Sequence, residues 1–204
     1  VPVCDAWALF ALDADLRSRG SHLLVRRGDP AAVLAQLCHE TGAGAVFAQR
    51  DYSPFAIRRD AAVQAALPVS LHLEDGVAAR PPEAIRKDDG EPFVVYTPFG
   101  KRWRAFGPVR RSDILPAPQA IRTPTEPQSD GVPTAPALPS SVPFAAGEAE
   151  AKRRLGTFVT GDHAPIYDYA KLRDQPGADA TSQLSPYLRW GMISPRLAAL
   201  AAYE

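Results

Sequence analysis

Residues 1–110 alternate between two hydrophobic periods. Ala6, Leu9, Phe10 and Leu16 recur at helical spacing through residues 5–19, and Gly20 can close that helix. Residues 22–26 (HLLVR) read as a short buried strand. Asp29-Pro30 has the form of an N-cap followed by proline at the first helical position. The helix it predicts runs through Val33, Leu34, Leu37 and Cys38 and stops before Gly42. Residues 45–48 (AVFA) form the next strand. Ser53-Pro54 starts another helix with Ile57, Ala61 and Ala65 on one side, and residues 69–73 (VSLHL) form a third strand. Strands alternating with helices predict an α/β fold, a parallel doubly wound, Rossmann-like sheet covered on both faces.

The pattern then changes twice. Asp88-Asp89-Gly90 is a turn signal, and Thr97-Pro98 predicts the cap of a short helix carrying Phe99, Trp103 and Phe106. Lys101, Arg102 and Arg104 interleave with these aromatics. A nucleic-acid surface and a solvated helix with its aromatics packed inward both fit, and the second is the more ordinary arrangement. From Asp113 to Gly147 charges and large apolar residues thin out, and eight prolines fall between Pro116 and Pro143. This composition predicts a semi-extended linker rather than a packed element. Gly147-Glu148 opens a helix with Ala151, Leu155 and Phe158 as its apolar stripe and Lys152, Arg153 and Arg154 in solvent. The organisation expected is an α/β domain at 1–112, a linker at 113–147 and a helical region at 148–204.

Composition narrows the function classes. Apolar residues make up 46% of the chain, as in a folded protein. The formal net charge is zero, so any nucleic-acid contact would need its basic residues gathered on one face. Cys4 and Cys38 are too few for a disulfide framework and have no metal-ligand spacing, which fits a reducing cytosol. No apolar run reaches a membrane span, and no signal peptide is visible, so a cytoplasmic protein is expected; a monomer is expected too, though no sequence feature sets the oligomeric state. His22, His39, His72 and His163 are scattered. Nucleophile elbow, P-loop and dinucleotide glycine fingerprint are all missing.

Three places could carry chemistry. Gln49-Arg-Asp-Tyr-Ser-Pro54 lies at the C-terminal end of a predicted parallel strand, where open α/β sheets bind ligands and where ordinary strand-to-helix loops also lie. Arg58, Arg59 and Asp60 follow as a charge cluster. Tyr169 and Arg173, four residues apart, could place an aromatic ring and a guanidinium near a ring and a phosphate. Thr181-Ser-Gln-Leu-Ser185 sets hydroxyls at a predicted helix start, where free backbone N–H groups can seat a phosphate.

Taken in order, these blocks resemble the DNA photolyase and cryptochrome family. They are Arg27-Gly-Asp-Pro30, residues 46–54 with Arg59-Asp60, and Val95-Tyr-Thr-Pro-Phe99 with Trp103. Then come Tyr169 with Arg173-Asp174-Gln-Pro176, residues 181–191 (TSQLSPYLRWG), and Ile193-Ser-Pro-Arg196. The resemblance implies an α/β antenna domain linked to the start of an all-α FAD-binding domain. It assigns FAD contacts to Tyr169, Thr181, Ser182, Gln183, Leu184 and Ser185, and a DNA phosphate contact to Arg173. It implies light-driven splitting of cyclobutane pyrimidine dimers in UV-damaged DNA, with a cryptochrome photosensor or a stand-alone α/β module as the alternatives. A second, antenna chromophore is open. Phe55 and Ala56 stand where some family members hold folate with an Asn-Glu pair, so folate by that mode is not expected. The family's first two strands and most of its helical domain have no counterpart in residues 1–204. The segment is therefore expected to be a piece of a longer reading frame, unable by itself to retain FAD or repair DNA. The strand at 22–26 is expected to lack a neighbour and to leave backbone groups unpaired.

Overall fold

The computed structural model describes residues 3–125, 127–134 and 144–204. It divides into two compact units, Val1–Glu74 with Ala117–Ala145, and Asp75–Pro116 with Ala146–Glu204.

The first unit begins with helix α1 (Val3–Ser18). Helix α2 (Pro30–Thr41) starts as its sequence predicts. The Asp29 carboxylate accepts from the Ala32 N–H at 3.0 Å, proline fills the first position, and Gly42 ends the helix at φ 64°. Strand β1 (Ala45–Gln49) leads into helix α3 (Pro54–Ala66), and β2 (Ser70–Glu74) follows. The two strands pair in parallel, with Val46 opposite Leu71 and Phe47 opposite His72. Phe47 and His72 stack with ring centres 4.8 Å apart. Helix α3 is the crossover between the strands and packs on α2, burying Ala56 and Val63.

The strand expected at 22–26 is not one. Among the described residues the sheet holds only β1 and β2. Residues 21–27 have no regular secondary structure, and side chains bond part of their backbone. The Leu23 N–H donates to Asp13, the Val25 N–H to the Ser129 hydroxyl at 2.9 Å, and the Arg27 N–H to Asp130 at 2.8 Å. A single backbone bond, Asp130 N–H to the Val25 carbonyl at 2.7 Å, joins them. The cause lies in the neighbour. The segment around 117–134 carries Pro118, Pro124, Pro127 and Pro133, whose missing N–H groups cannot build a ladder. That segment is also not the unpacked linker its composition predicts. Arg19 donates to the Pro118 carbonyl at 2.6 Å, the Ile121 N–H donates to the Arg19 carbonyl at 3.0 Å, and Ser21 bonds Thr123. Pro136, Pro139 and Pro143 lie outside the described residues.

The second unit is helical. Helix α4 (Tyr96–Ala105) begins one residue before the predicted Thr97 cap, with Val95 at the cap position and no side-chain cap bond. Its Trp103 faces the Arg80 guanidinium 5.8 Å from the ring centre, as does Phe106 at 5.4 Å, while Lys101 and Arg102 are exposed. Helix α5 (Glu148–Val159) buries Ala151 and Leu155, the stripe read from the sequence. It packs on α8 (Pro195–Tyr203) and on a one-turn 3-10 helix, Pro165–Tyr167. Between these lie two short helices, α6 (Tyr169–Leu172) and α7 (Ser185–Arg189).

Candidate functional site

The loop before α7 is anchored at both ends by buried side chains, Ala180 at 3% and Leu184 at 4% exposure. Between them Thr181 is exposed and Ser182 half-buried, and Ser185 is exposed just beyond. Gln183 has φ 50°, and among the described residues no other non-glycine residue has a positive φ. Leu184 follows at φ −85° and ψ −7°. A left-handed residue followed by a right-handed one turns successive N–H groups toward one side, a backbone nest suited to anions. No described residue accepts a hydrogen bond from the N–H of Gln183, Leu184 or Ser185.

The expected helix start is therefore only part of the story. Helix α7 has five residues, too few for a strong macrodipole, and its cap position is Leu184, which has no side-chain oxygen. The free donors come from the turn at Gln183. Leu184 can contribute its N–H alone, since its side chain belongs to the core.

Gln183 is held from two sides. Its Nε2 donates to Asp179 Oδ1 at 2.7 Å, and its Oε1 accepts from Arg154 Nη1 at 2.8 Å. Arg154 also donates to Glu150 at 2.8 Å and lies 5.7 Å from the centre of the Tyr187 ring, itself 1% exposed. Arg153 pairs with the same carboxylate through two bonds of 2.7 Å. Arg153 first, then Arg154, hold the Glu150 carboxyl down at about 2 against an ordinary 4.5. Burial pushes the Tyr187 phenol up. Arg154 thus departs from the solvated face expected of Lys152, Arg153 and Arg154. Its side chain is 13% exposed, against 56% for Lys152 and 61% for Arg153. The spacing Glu150-x-x-x-Arg154 was the available signal, but it reads equally well as a surface pair.

Tyr169 meets Phe158 edge-on, with ring centres 6.0 Å apart. The Arg173 guanidinium lies 5.9 Å from the Tyr169 ring centre, with Asp174 3.6 Å away. Arg154 and Phe158 are one helical turn apart on α5. Adjacent turns of one helix therefore hold Gln183 and Tyr169, bringing together two blocks that the sequence separates.

In the first unit Asp51, Ser53, Arg59 and Asp60 make local structural contacts. Asp51 accepts from the Ser53 N–H at 2.8 Å, and the Ser53 hydroxyl caps α3 by accepting from the Ala56 N–H at 3.3 Å. Arg59 pairs with the buried Asp60 at 2.7 Å. A cleft of about 300 Å³ is lined by Pro30, Phe55, Arg58, Arg59 and Val63. Ala56 is buried and Phe55 is 69% exposed. Among the described residues no His, Cys, Asp and Glu cluster could hold a metal ion, and no helix is long and apolar enough to cross a membrane.

The DNA photolyase family model matches residues 7–120, more than half of the chain. The chain belongs to the DNA photolyase family. A deoxyribodipyrimidine photo-lyase of Streptomyces griseus is 38% identical over 193 residues, covering 91% of this chain and 41% of its own length. A cryptochrome DASH of Natronomonas pharaonis is 34% identical over 208 residues, covering 93% and 42%. The crystal structure of a class III photolyase from Agrobacterium tumefaciens superposes with a TM-score of 0.77 at 30% identity, covering 98% of this chain and 43% of that one. The chain thus spans about two fifths of the length of these photolyase relatives. Its α/β region followed by a helical region follows the photolyase plan of antenna and FAD-binding domains.

Proposed function

We propose that this segment belongs to a light-driven DNA repair flavoenzyme that splits cyclobutane pyrimidine dimers, and that residues 181–185 hold the phosphates of its FAD. One observation carries the assignment. The N–H groups of Gln183, Leu184 and Ser185 have no acceptor among the described residues, and the Thr181, Ser182 and Ser185 hydroxyls border them. Such a donor set fits anionic oxygens. The Asp179 carboxylate accepts from the Gln183 side-chain amide at 2.7 Å. Tyr169, packed edge-on against Phe158 of α5, offers a ring at 40% exposure. Arg173 keeps more than half of its side chain in solvent, as a DNA phosphate contact requires. When bound, reduced FAD supplies the light-driven electron for dimer splitting. The protein's part is to bind and orient it and to admit the lesion.

The test uses the full-length protein that carries this segment. Blue-light splitting of a thymine dimer, lost when FAD is withheld, is the expected result. Stable FAD binding with no splitting would instead favour a photosensor, the reading supported by the likeness to the Natronomonas cryptochrome DASH. Residues 1–204 expressed alone are expected to show no stoichiometric flavin absorbance.

A further inference from the structure

We infer that Arg154 is a positioning residue for the phosphate-binding turn, acting through Gln183. The inference rests on the FAD reading of residues 181–185 and adds to it a residue from another helix. A left-handed backbone is costly for glutamine, and turns of this kind persist only where their surroundings fix them. Here the fixing groups are visible. Asp179 holds one end of the Gln183 amide and Arg154 the other, at 2.7 and 2.8 Å. Arg154 is in turn immobilised by Glu150 and by the Tyr187 ring beneath it. Glu150 has a second partner in Arg153, so loss of Arg154 would not strand its charge. The chain of contacts runs from the core, through a half-buried guanidinium, to the residue whose φ aims the three N–H groups. Preorganised donors spare the ligand the cost of ordering them, which raises affinity without a new contact.

Two accounts of Arg154 differ in what they predict. If it orders the turn, glycine at 183, which takes a positive φ without strain, should replace its function. If it acts only as a nearby cation or as packing, glycine should not help. The experiment compares Arg154→Met with Arg154→Met/Gln183→Gly in the full-length protein. Arg154→Met is expected to weaken FAD by roughly tenfold while leaving riboflavin, which has no phosphate, unchanged, and the double variant is expected to recover most of the loss. In the apoprotein, 15N relaxation should show lower order parameters at Gln183, Leu184 and Ser185 in Arg154→Met, with residues 151–159 of α5 unaffected. Unchanged order at 183–185, an equal loss for riboflavin, or a loss that glycine does not recover would each overturn the inference. Failure of the FAD reading would appear separately, as absence of FAD binding in the unsubstituted protein, and the relaxation measurement would still decide whether Arg154 orders the turn.

Discussion

Helices α3 and α7 share a serine-proline step and use it in opposite ways. At α3 Ser53 stands outside the helix and its hydroxyl accepts from the Ala56 N–H, so the helix start is satisfied internally. At α7 Ser185 is the first helical residue, displaced by one position, and the cap falls to Leu184. The displacement follows from Gln183, whose left-handed φ turns the chain before the serine can reach the cap. One start is closed and structural. The other leaves donors and hydroxyls open, and is held in place by α5 rather than by its own cap. A serine-proline pair therefore does not reveal which kind of start it makes; the backbone two residues earlier does.

The largest expected effect separates how the two starts are anchored. Tyr187→Ala removes the fully buried side chain that seats α7, and should destabilise the folded protein by about 3–5 kcal/mol in chemical denaturation. A loss below about 1 kcal/mol would mean that α7 is seated by something else. Next comes the open start itself. Thr181→Ala/Ser182→Ala in the full-length protein should weaken FAD by roughly 2–3 kcal/mol in titration calorimetry, because hydroxyls that bond a charged group contribute more than neutral pairs. The closed start should behave conversely. Ser53→Ala is expected to lower stability by about 1 kcal/mol while leaving FAD affinity alone. Weaker FAD binding in Ser53→Ala would erase the distinction between the two.

The smallest effect concerns the support under the open start. The Glu150 carboxyl is held at about 2 rather than 4.5. A carboxyl with a lowered value stabilises the fold above its ordinary range and loses that contribution as pH falls through its folded value. Wild type should therefore exceed Glu150→Gln in stability at neutral pH, and the two curves should converge as pH falls from about 4.5 toward about 2. NMR titration of the Glu150 carboxyl near its ordinary value would break the proposed link between α5 and the loop.

Local chemistry explains what was legible in the sequence. Asp29-Pro30 and Ser53-Pro54 marked true helix starts because capping is decided by adjacent residues. The strands at 45–49 and 70–74 showed as short apolar runs because their faces and their pairing agree. Residues 22–26 misled because an apolar run records a buried environment and not its partner, and the partner here is a proline-bearing segment about a hundred residues away. At the site, hydroxyls, Tyr169 and Arg173 were readable as motifs. Arg154 was not, since only the fold places one of three consecutive basic residues beneath a loop and leaves the other two in solvent. The left-handed φ of Gln183 was equally hidden, because nothing in the residue type calls for it.

The central claim is that Gln183, Leu184 and Ser185 present their N–H groups to the phosphates of FAD. Amide 15N–1H spectra of the full-length apoprotein, recorded with FAD and then with riboflavin, test it most directly. FAD should shift these three amides strongly downfield, riboflavin should leave them near their free positions, and Ala56 at the closed start should respond to neither. FAD bound at full occupancy with those three amides unmoved would contradict the account.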